Sequence, residues 1–318
     1  MGEIKAKEKY QIIHETIYKA HNQLNVSWLC EYAKVHRSGY YKWEKRQKEP
    51  SNRERRDRLD FDEILKAYNH RGYDKGVKGI YMSLLRGDKV MNQKKIRRLM
   101  RKYGLFCPIR KPNPYKKMLK ALAEASAKEN LLQREFKKHG PRMVLLTDIT
   151  YLFYGNHEKA YMSSIKDAYT NEILAWAFSK NMEEDFVLET IHRLVQKHGN
   201  ELKKAAFVHS DQGIHYKIFV FQQLLKDEGL RQSMSRKGNC WDNAPQESFH
   251  GHMKDEAHIE SCQTFDELIN EINNYVDYYN NERYQWNLAK LAPSEYYRYC
   301  ITGVHPLSEL ERKKPEVF

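Results

Sequence analysis

The sequence has no apolar run as long as a membrane-spanning helix, and its first residues, Met-Gly-Glu-Ile-Lys-Ala-Lys, do not have the pattern of a signal peptide. It has five cysteines, an odd number, and no two of them form a Cys-x-x-Cys pair. A disulfide framework and a zinc knuckle are therefore both unexpected. These absences predict a protein that has no membrane partner and works in a reducing cytosol.

The positive charge is concentrated in the first half of the chain, whose overall formal net charge is +13. Residues 1–140 hold 35 Lys and Arg against 16 Asp and Glu, whereas residues 141–318 hold 20 against 26. A basic region neutralises phosphates, but an acidic region repels a polyanion unless bound cations reverse the local field. The division predicts DNA binding by the first half and metal-dependent chemistry in the second.

The first half has the apolar spacing of short helices. Helices with this spacing are predicted at residues 10–18, 28–35, 61–68, 79–85 and 93–104. The arginine-rich run 51–60 is either a solvated connector or the start of a helix. Because short helices joined by tight turns are typical of helix-turn-helix bundles, we expect two such modules, residues 1–50 and 51–115. A basic linker and helix are expected at residues 116–140.

The most basic of these helices follows Asn92, which is a candidate for its N-terminal cap. Four apolar side chains have the spacing of one buried face: Ile96, Leu99, Met100 and Tyr103. The cations that face outward are the candidate DNA contacts: Lys94, Lys95, Arg98, Arg101 and Lys102. A basic helix face is more often simply solvated, but the position of this helix in a strongly basic region favours DNA contact.

From residue 142 the pattern changes to alternating strands and helices. Strand-like runs at 143–153, 160–167 and 172–178 are separated by turns, which predicts an antiparallel meander. The predicted order is three strands, a helix, a strand, a helix, a short strand and a helix. This order fits an RNase H-like core, which is a mixed five-stranded sheet with flanking helices. We place the core at residues 141–300 and a C-terminal tail at 301–318.

Three acidic residues in this second half suggest a metal site. Asp148 lies among apolar strand residues, where a carboxylate is rarely buried unless it is paired or holds a cation. Asp211 follows a second apolar run at a Gly turn, and Glu247 lies early in a helix that Pro245 can start. Such carboxylates form a hard-oxygen ligand set that suits Mg²⁺ and phosphoryl transfer. We predict that all three acids are catalytic and bind metal.

The Glu247 helix presents two further side chains on the same face. At about 100° per residue, Lys254 lies roughly 20° from Glu247 and His250 about 60° from it. Lys254 is a candidate DNA contact beside the metal site. We expect His250 to be a partly exposed helix histidine.

Several other charged or aromatic residues have competing interpretations. Asp167 is expected to form a turn rather than bind a metal, and Asp242 to cap the helix that follows it. Glu256 is expected to be a surface charge. For Arg283 and Trp286, DNA contact and a structural role both remain open.

Three segments resemble a known family. His209-Ser-Asp-Gln-Gly, the run from Ser233 to Phe249 and Tyr279-Asn-Asn-Glu-Arg-Tyr-Gln-Trp-Asn look like the OrfB-type DDE transposases of bacterial insertion sequences, relatives of retroviral integrases. In that family 35 residues separate the second Asp from the Glu, as they separate Asp211 from Glu247 here. A Lys or Arg follows the Glu by seven residues, and Lys254 does so here. The resemblance covers nearly the whole chain.

The resemblance implies a transposase that cuts element ends and inserts them into target DNA. Water or a DNA 3′-hydroxyl would attack the phosphodiester, with two Mg²⁺ ions for which Mn²⁺ can substitute. The implied partners are double-stranded DNA of the ends and of the target, and further copies of the chain in a homo-oligomer on paired ends. The implied location is the bacterial cytoplasm, at the nucleoid.

The family adds one more expected partner. Its active enzyme is often a frameshift fusion with an upstream, overlapping reading frame that supplies a further helix-turn-helix and a leucine zipper. No sustained heptad precedes residue 40 here, which favours a downstream product. The upstream product is therefore a candidate partner.

Two other functions remain open from the sequence. One is a DNA-binding regulator or inhibitor of transposition that retains an inactive core, although such a core gains nothing from three converging carboxylates. The other is a metal-dependent nuclease of the RNase H type, which would share the core but has no need of two basic helical modules. Inverted repeats beside the gene, together with an overlapping upstream frame, would favour transposition.

Overall fold

The structure is a computed structural model that describes residues 5–19, 23–48, 51–108, 138–235 and 244–308. The basic linker and helix predicted at residues 116–140 lie outside these residues except for 138–140, and the cap predicted at Asp242 lies outside them. The chain divides into two compact units, residues 1–63 and residues 64–318.

The first unit is helical. Its described helices are α1 Ala6–Ile17, α2 Val26–Tyr32, α3 Arg37–Lys48 and the first part of α4 Asn52–Asn69. A small core of Ile13, Cys30, Tyr40 and Trp43 holds the first three helices together. The Ser51 hydroxyl accepts a hydrogen bond from the Glu54 amide at 3.1 Å, as an N-terminal cap does. The arginine-rich run is therefore the beginning of α4.

The second unit begins with the end of α4 and two shorter helices, α5 Val77–Arg86 and α6 Gln93–Lys102. The Asn92 side chain accepts a hydrogen bond from the Lys94 amide at 2.8 Å, so the predicted cap is confirmed. Three residues of the predicted apolar face, Ile96, Leu99 and Met100, are buried. The described part of this basic region consists of helices joined by short segments, as the sequence predicts.

The rest of the second unit is built on a mixed sheet of five strands within the described residues. The strands are β1 Val144–Tyr154, β2 Glu158–Asp167, β3 Ile173–Ser179, β4 Phe207–Ser210 and β5 Arg231–Met234. The spatial order is β3-β2-β1-β4-β5. The first three strands form the predicted antiparallel meander, and β4 and β5 run parallel to β1. The predicted RNase H-like core is confirmed.

Helices cover both faces of this sheet. They are α7 Asp185–His198, α8 Phe219–Asp227, α9 Ala244–Glu256 and α10 Phe265–Asn281. A further helix, α11 Pro293–Thr302, contacts α10. Successive side chains of a strand point to opposite faces. In β1, Leu145 packs in the cluster that includes α7 and α8, whereas Leu152 packs in the cluster that includes α9 and α10. Each face of the sheet therefore has its own apolar core.

Tyr73 joins the basic helical region to the sheet region. It is 4% exposed and belongs to the same apolar cluster as α9 and α10. The Tyr73 ring centroid lies 5.4 Å from that of Tyr275 and 4.6 Å from that of Tyr278. Arg71 adds hydrogen bonds to Glu282 at 2.8 Å and to Asp277 at 3.0 Å. The segment between α4 and α5 therefore packs into the apolar core between the sheet and helices α9 and α10.

Among the described residues, none of the helices combines the length and the apolar character needed to cross a membrane.

Candidate active site

The register of two parallel strands, continued by two residues, brings the two candidate aspartates level with each other. β1 and β4 are parallel, with Leu145 opposite Val208 and Leu146 opposite His209. Two residues further along, this register sets Asp148 of β1 opposite Asp211, which directly follows the last residue of β4. Neighbouring strands are about 4.8 Å apart, and side chains two residues apart on one strand point to the same face of the sheet. The sequence gives the two strands, but their alignment depends on the tertiary fold.

Helix α9, which carries Glu247, crosses the sheet next to Asp148. On β2, Ser164 is the residue opposite Asp148. The Ser164 hydroxyl accepts a hydrogen bond from the Gln246 side chain at 2.6 Å and lies 2.9 Å from His250 Nε2. Ser164 and Gln246 are both fully buried, so they fix α9 over this point of the sheet. The sequence did not indicate either residue, because only the strand register brings them together.

His250 is buried, so the expectation of a partly exposed histidine is wrong. Its Nδ1 lies 3.6 Å from Asp148 Oδ2, and its other ring nitrogen faces Ser164. Burial lowers the pKa of His250, and the Asp148 carboxylate acts in the opposite direction. The side chain therefore lies between α9 and the sheet, next to both Ser164 and Asp148. A spacing of three residues from Glu247 places it on that side of the helix.

Tyr216 lies close to both aspartates. It is 1% exposed and follows Asp211 by five residues, in a short helical turn. Burial raises the pKa of Tyr216, and the negative charges of Asp148 and Asp211 add to this effect. The Tyr216 ring packs in the apolar cluster with α7 and α8, and the charges of both carboxylates act on its hydroxyl group.

Lys254 is the cation nearest to this group on α9. Its side chain is exposed, and its Nζ lies 4.5 Å from the centroid of the Tyr151 ring. Partial burial of the ammonium group lowers the pKa of Lys254, while Asp148 acts in the opposite direction. Lys254 is therefore within electrostatic reach of Asp148 and still accessible to a ligand from solvent.

The three predicted acids differ in exposure. The Asp148 side chain is 20% exposed, and Asp211 and Glu247 are both exposed. Asp148 Oδ1 accepts the Ile149 amide at 2.9 Å, and Asp211 Oδ1 accepts the Gly213 amide at 2.8 Å. Within the described ranges, no group of three or more His, Cys, Asp or Glu is arranged so that it could hold a metal ion. The metal site of Asp148, Asp211 and Glu247 therefore stays a prediction.

Asp167 belongs to a different group, the arginine cluster of Arg142, Asp167, Glu172 and Glu201. The Arg142 guanidinium donates hydrogen bonds to Asp167 at 3.1 Å, to Glu172 at 2.7 Å and to Glu201 at 3.0 Å. Arg142 and Asp167 are both buried, and the guanidinium also lies 3.7 Å from the Tyr297 ring centroid. Asp167 accepts the Tyr169 amide at 2.8 Å, so it forms a turn as expected.

The expectations for Glu256 and Arg283 are decided by the contact between these two residues. Glu256 is 8% exposed and accepts two hydrogen bonds from Arg283, at 2.6 and 2.7 Å, so the prediction that Glu256 is a surface charge is wrong. Arg283 therefore has a structural role. Trp286 is 45% exposed, and Lys78 and Lys290 each approach its ring, at 5.4 and 5.5 Å from the centroid.

The candidate DNA contacts on α6 lie on its outer side. Four of them, Lys94, Arg98, Arg101 and Lys102, are exposed, and Lys95 is half-buried. Opposite them lie the buried residues Ile96, Leu99 and Met100. The helix therefore has one apolar and one cationic face, and contact of the cationic face with DNA stays a prediction.

Models of known families match three parts of the chain. Residues 138–240 and residues 228–293 match the integrase core domain, and residues 54–113 match an HTH-like domain. The two integrase matches together span the sheet, α9 and α10. The HTH-like match covers α5, α6 and all but the first two residues of α4.

Proteins similar in sequence carry related descriptions. An uncharacterized transposase-like protein of Haemophilus influenzae is 37% identical over 65% of this chain and 93% of its own length. A putative transposase, InsK, for insertion sequence element IS150 of Escherichia coli is 33% identical over 73% of this chain and 81% of its own length. A chain in the structure of a simian T-cell lymphotropic virus intasome matches with 11% identity and a TM-score of 0.46, over 80% of this chain and 78% of that one.

Proposed function

Since the chain belongs to the transposases of bacterial insertion sequences, a family with an integrase core domain, we propose that Asp148, Asp211 and Glu247 are its catalytic acids. With them the protein cuts the ends of its element and joins those ends to target DNA. The observation that carries this proposal is the β1 and β4 register, which sets Asp148 beside Asp211. Helix α9, with Glu247 near its start, crosses the sheet at the same point.

Both steps are displacements at phosphorus. In cleavage, a water oxygen attacks the phosphorus, the bond to the 3′-oxygen breaks, and that oxygen takes up a proton to leave a 3′-hydroxyl. In joining, this 3′-hydroxyl attacks a phosphorus of the target strand and loses its proton, and the target 3′-oxygen leaves and becomes protonated. No protein side chain becomes covalently attached to DNA.

The donor set suits divalent metal ions, which the family implies. Carboxylate oxygens are the ligands that Mg²⁺ prefers, and Asp148, Asp211 and Glu247 offer them where solvent reaches. In both aspartates Oδ1 accepts a backbone amide, which orients the side chain. Oδ2 of Asp148 faces His250 at 3.6 Å. Two bound Mg²⁺ ions, or Mn²⁺ ions in their place, would supply Lewis-acid activation of the attacking oxygen and charge stabilisation for the leaving one.

The surrounding side chains position these acids and the DNA. His250 and Ser164 hold α9 at a fixed distance from Asp148, so that Glu247 approaches the aspartates from the helix side. Lys254 neutralises a phosphate of the element end beside the acids. The cationic face of α6 contacts DNA further from the cut bond and fixes its orientation.

The remaining partners follow from the same proposal. The substrates are the double-stranded DNA of the element ends and of the target. A homo-oligomer assembles on paired ends, and the product of an upstream overlapping frame is a further partner. The protein acts in the bacterial cytoplasm, at the nucleoid.

A strand-transfer assay tests the function. The full chain is incubated with a labelled duplex of its element end and an unlabelled target duplex, in Mg²⁺, in Mn²⁺ or in EDTA. We expect nicked and joined products in both metals and none in EDTA. Products in EDTA would exclude the role of the metal, and tight end binding without cleavage in either metal would instead favour the regulator of transposition.

A further inference from the structure

A cavity of about 560 Å³ lies on another side of α9 from the candidate active site. It is bordered by α9 through Ser248 and His252, by α5 through Lys78 and by the segment that follows α10. At about 100° per residue, Ser248 and His252 lie roughly 100° and 140° around the helix from Glu247. His250 lies about 60° from Glu247 in the other direction. The cavity therefore borders the site on the same helix without being part of it.

The described lining of this cavity contains basic residues and no acidic ones. Its described lining residues include Lys78, Lys166 and Arg283, and none of them is Asp or Glu. Arg283 is neutralised by its two hydrogen bonds to Glu256. Lys166 is 3% exposed, and its Nζ donates to the Pro245 carbonyl at 2.8 Å. Lys78 is exposed at the rim. The exposed ammonium group of Lys78 is therefore the charge of this lining that an anionic ligand can meet.

An exposed aromatic ring stands beside the cations. Trp286 lines the cavity and is 45% exposed, which is unusual for the largest apolar side chain. Lys78 Nζ lies 5.4 Å from the centroid of its ring. An aromatic face next to a lysine is the combination by which proteins hold single-stranded nucleic acid, since the base stacks on the ring and the cation meets the phosphate.

We propose that this cavity receives one unpaired nucleotide of the DNA strand next to the bond that is cut, with its base against Trp286 and its phosphate at Lys78. The proposal rests on the function proposed above. The volume lies within the range of about 300 to 1,000 Å³ that is typical of pockets for single small ligands. A base inside a duplex cannot present its face to Trp286, so the nucleotide must be extruded or already unpaired.

The test uses the fluorescence of 2-aminopurine, which stacking on an indole quenches. The Asp148→Asn full chain is mixed with an element-end duplex that carries 2-aminopurine either in a short single-stranded overhang or in a paired position. We expect quenching of the unpaired base only. Trp286→Ala in the same background should lose the quench and weaken overhang binding by between about 5-fold and about 100-fold, whereas Trp286→Phe should keep most of both.

A second variant tests the phosphate contact independently of the ring. Lys78→Ala should reduce the slope of log affinity against log salt by about 0.7, the value for one single-strand phosphate, and Lys78→Arg should restore it. Lys290→Ala is the matched control, because Lys290 approaches the same ring at 5.5 Å but does not line the cavity. Lys290→Ala should behave as the parent protein does.

Several outcomes would overturn the proposal. Equal quenching of paired and unpaired bases, or a quench that survives both Trp286→Ala and Lys78→Ala, would exclude a nucleotide in the cavity. Displacement of the probe by a free deoxynucleoside monophosphate below millimolar concentration would assign the cavity to a free nucleotide instead of a DNA strand. If the wild-type chain cleaves DNA but no quench is seen, the nucleotide proposal for the cavity is wrong and the proposed function stands. If a quench is seen but the wild-type chain does not cleave DNA, the proposed function is wrong.

Discussion

Two groups of acids lie near strand β1, and they differ in how their negative charge is balanced. Just before the strand, Arg142 gathers Asp167, Glu172 and Glu201 around one buried guanidinium. Six residues along, Asp148 lies beside Asp211 where solvent reaches both. The arginine cluster supplies its own counter-charge inside the protein. We propose that the second group obtains its counter-charge from bound metal ions.

The comparison shows that residue type alone does not distinguish a structural acid from a catalytic one. Asp167 and Asp148 both lie in strands among apolar residues, and both fit the rule that a buried carboxylate needs a cation. Asp167 is fully buried, and the Arg142 guanidinium is within hydrogen-bond distance. Asp148 faces a histidine at 3.6 Å. The position of the partner cation therefore decides which acid is available for chemistry.

The largest expected effect separates the two groups by activity. Asp148→Asn, Asp211→Asn or Glu247→Gln should each reduce joining by about a thousand-fold or more, because a lost metal ligand costs several kcal/mol and about 1.4 kcal/mol is a factor of ten. Binding of the element end should stay near that of the wild type. The measurement is strand transfer of a labelled end, with Asp255→Asn, an exposed acid on the same helix, as the control. Joining above a tenth of the wild-type rate would remove that acid from the mechanism.

Disrupting the arginine cluster should lower the free energy of unfolding. Arg142→Met keeps a similar volume but leaves three carboxylates without their common cation, and breaking a buried ion pair costs about 3 to 5 kcal/mol. Urea denaturation measures the loss. Arg193→Met is the control, since Arg193 forms an exposed pair with Glu189 that contributes only about 0.3 to 0.5 kcal/mol. Equal midpoints for the two variants would mean that the buried cluster does not stabilise the core.

A pH effect sharpens the comparison at Lys166, the neighbour of Asp167 on β2. Burial, together with the charge of Arg283, lowers the pKa of Lys166 from 10.5 to about 7. Between pH 7 and 10.5 the unfolded chain therefore binds one proton more than the folded protein, so this residue's contribution to stability rises with pH by up to about 1.4 kcal/mol per pH unit.

The measurement is the free energy of unfolding of the wild type minus that of Lys166→Met, followed from pH 6.5 to 9.5. We expect this difference to rise with pH. Lys159→Met, which removes an exposed lysine from the same strand, should give a flat difference. A flat difference for Lys166→Met as well would show that Lys166 stays protonated in the folded protein.

The smallest expected effect concerns Lys254, the single cation on α9 close to Asp148. Lys254→Ala should reduce joining by about ten-fold at subsaturating DNA and lower the salt slope of end binding by about 0.9, the value for one duplex phosphate. Metal affinity should not change, and Lys254→Arg should recover much of the loss because the charge is retained. Wild-type joining by Lys254→Ala would make this residue an ordinary solvated lysine.

Much of the fold could be predicted because it depends on local patterns. The three strands of the meander differ from their predicted bounds by at most two residues, since alternation and turn residues mark them. The cap at Asn92 and the apolar face of α6 follow from helix geometry. Asp148 stood out because a carboxylate inside an apolar strand is unusual. Asp211 and Glu247 stood out because the 35 residues between them match the spacing of the family.

What the sequence could not indicate depends on contacts between distant residues. His250 was expected to be partly exposed because the sequence of α9 alone does not show that His250 contacts Ser164 on β2. Glu256 was assigned to the surface because its partner Arg283 comes 27 residues later, after another helix. In each case helical periodicity gives the direction of a side chain, but the packing partner in that direction comes from tertiary structure.

The position of Tyr73 has a consequence for protein synthesis. Tyr73 packs on Tyr275 and Tyr278, which the ribosome adds roughly 200 residues later. At about 5 to 20 residues per second, Tyr73 waits about 10 to 40 seconds for these neighbours. During that interval the nascent chain exposes an aromatic side chain that the finished protein buries. A chain that ends before residue 275 never acquires this contact, so a prematurely terminated translation product keeps this aromatic surface exposed.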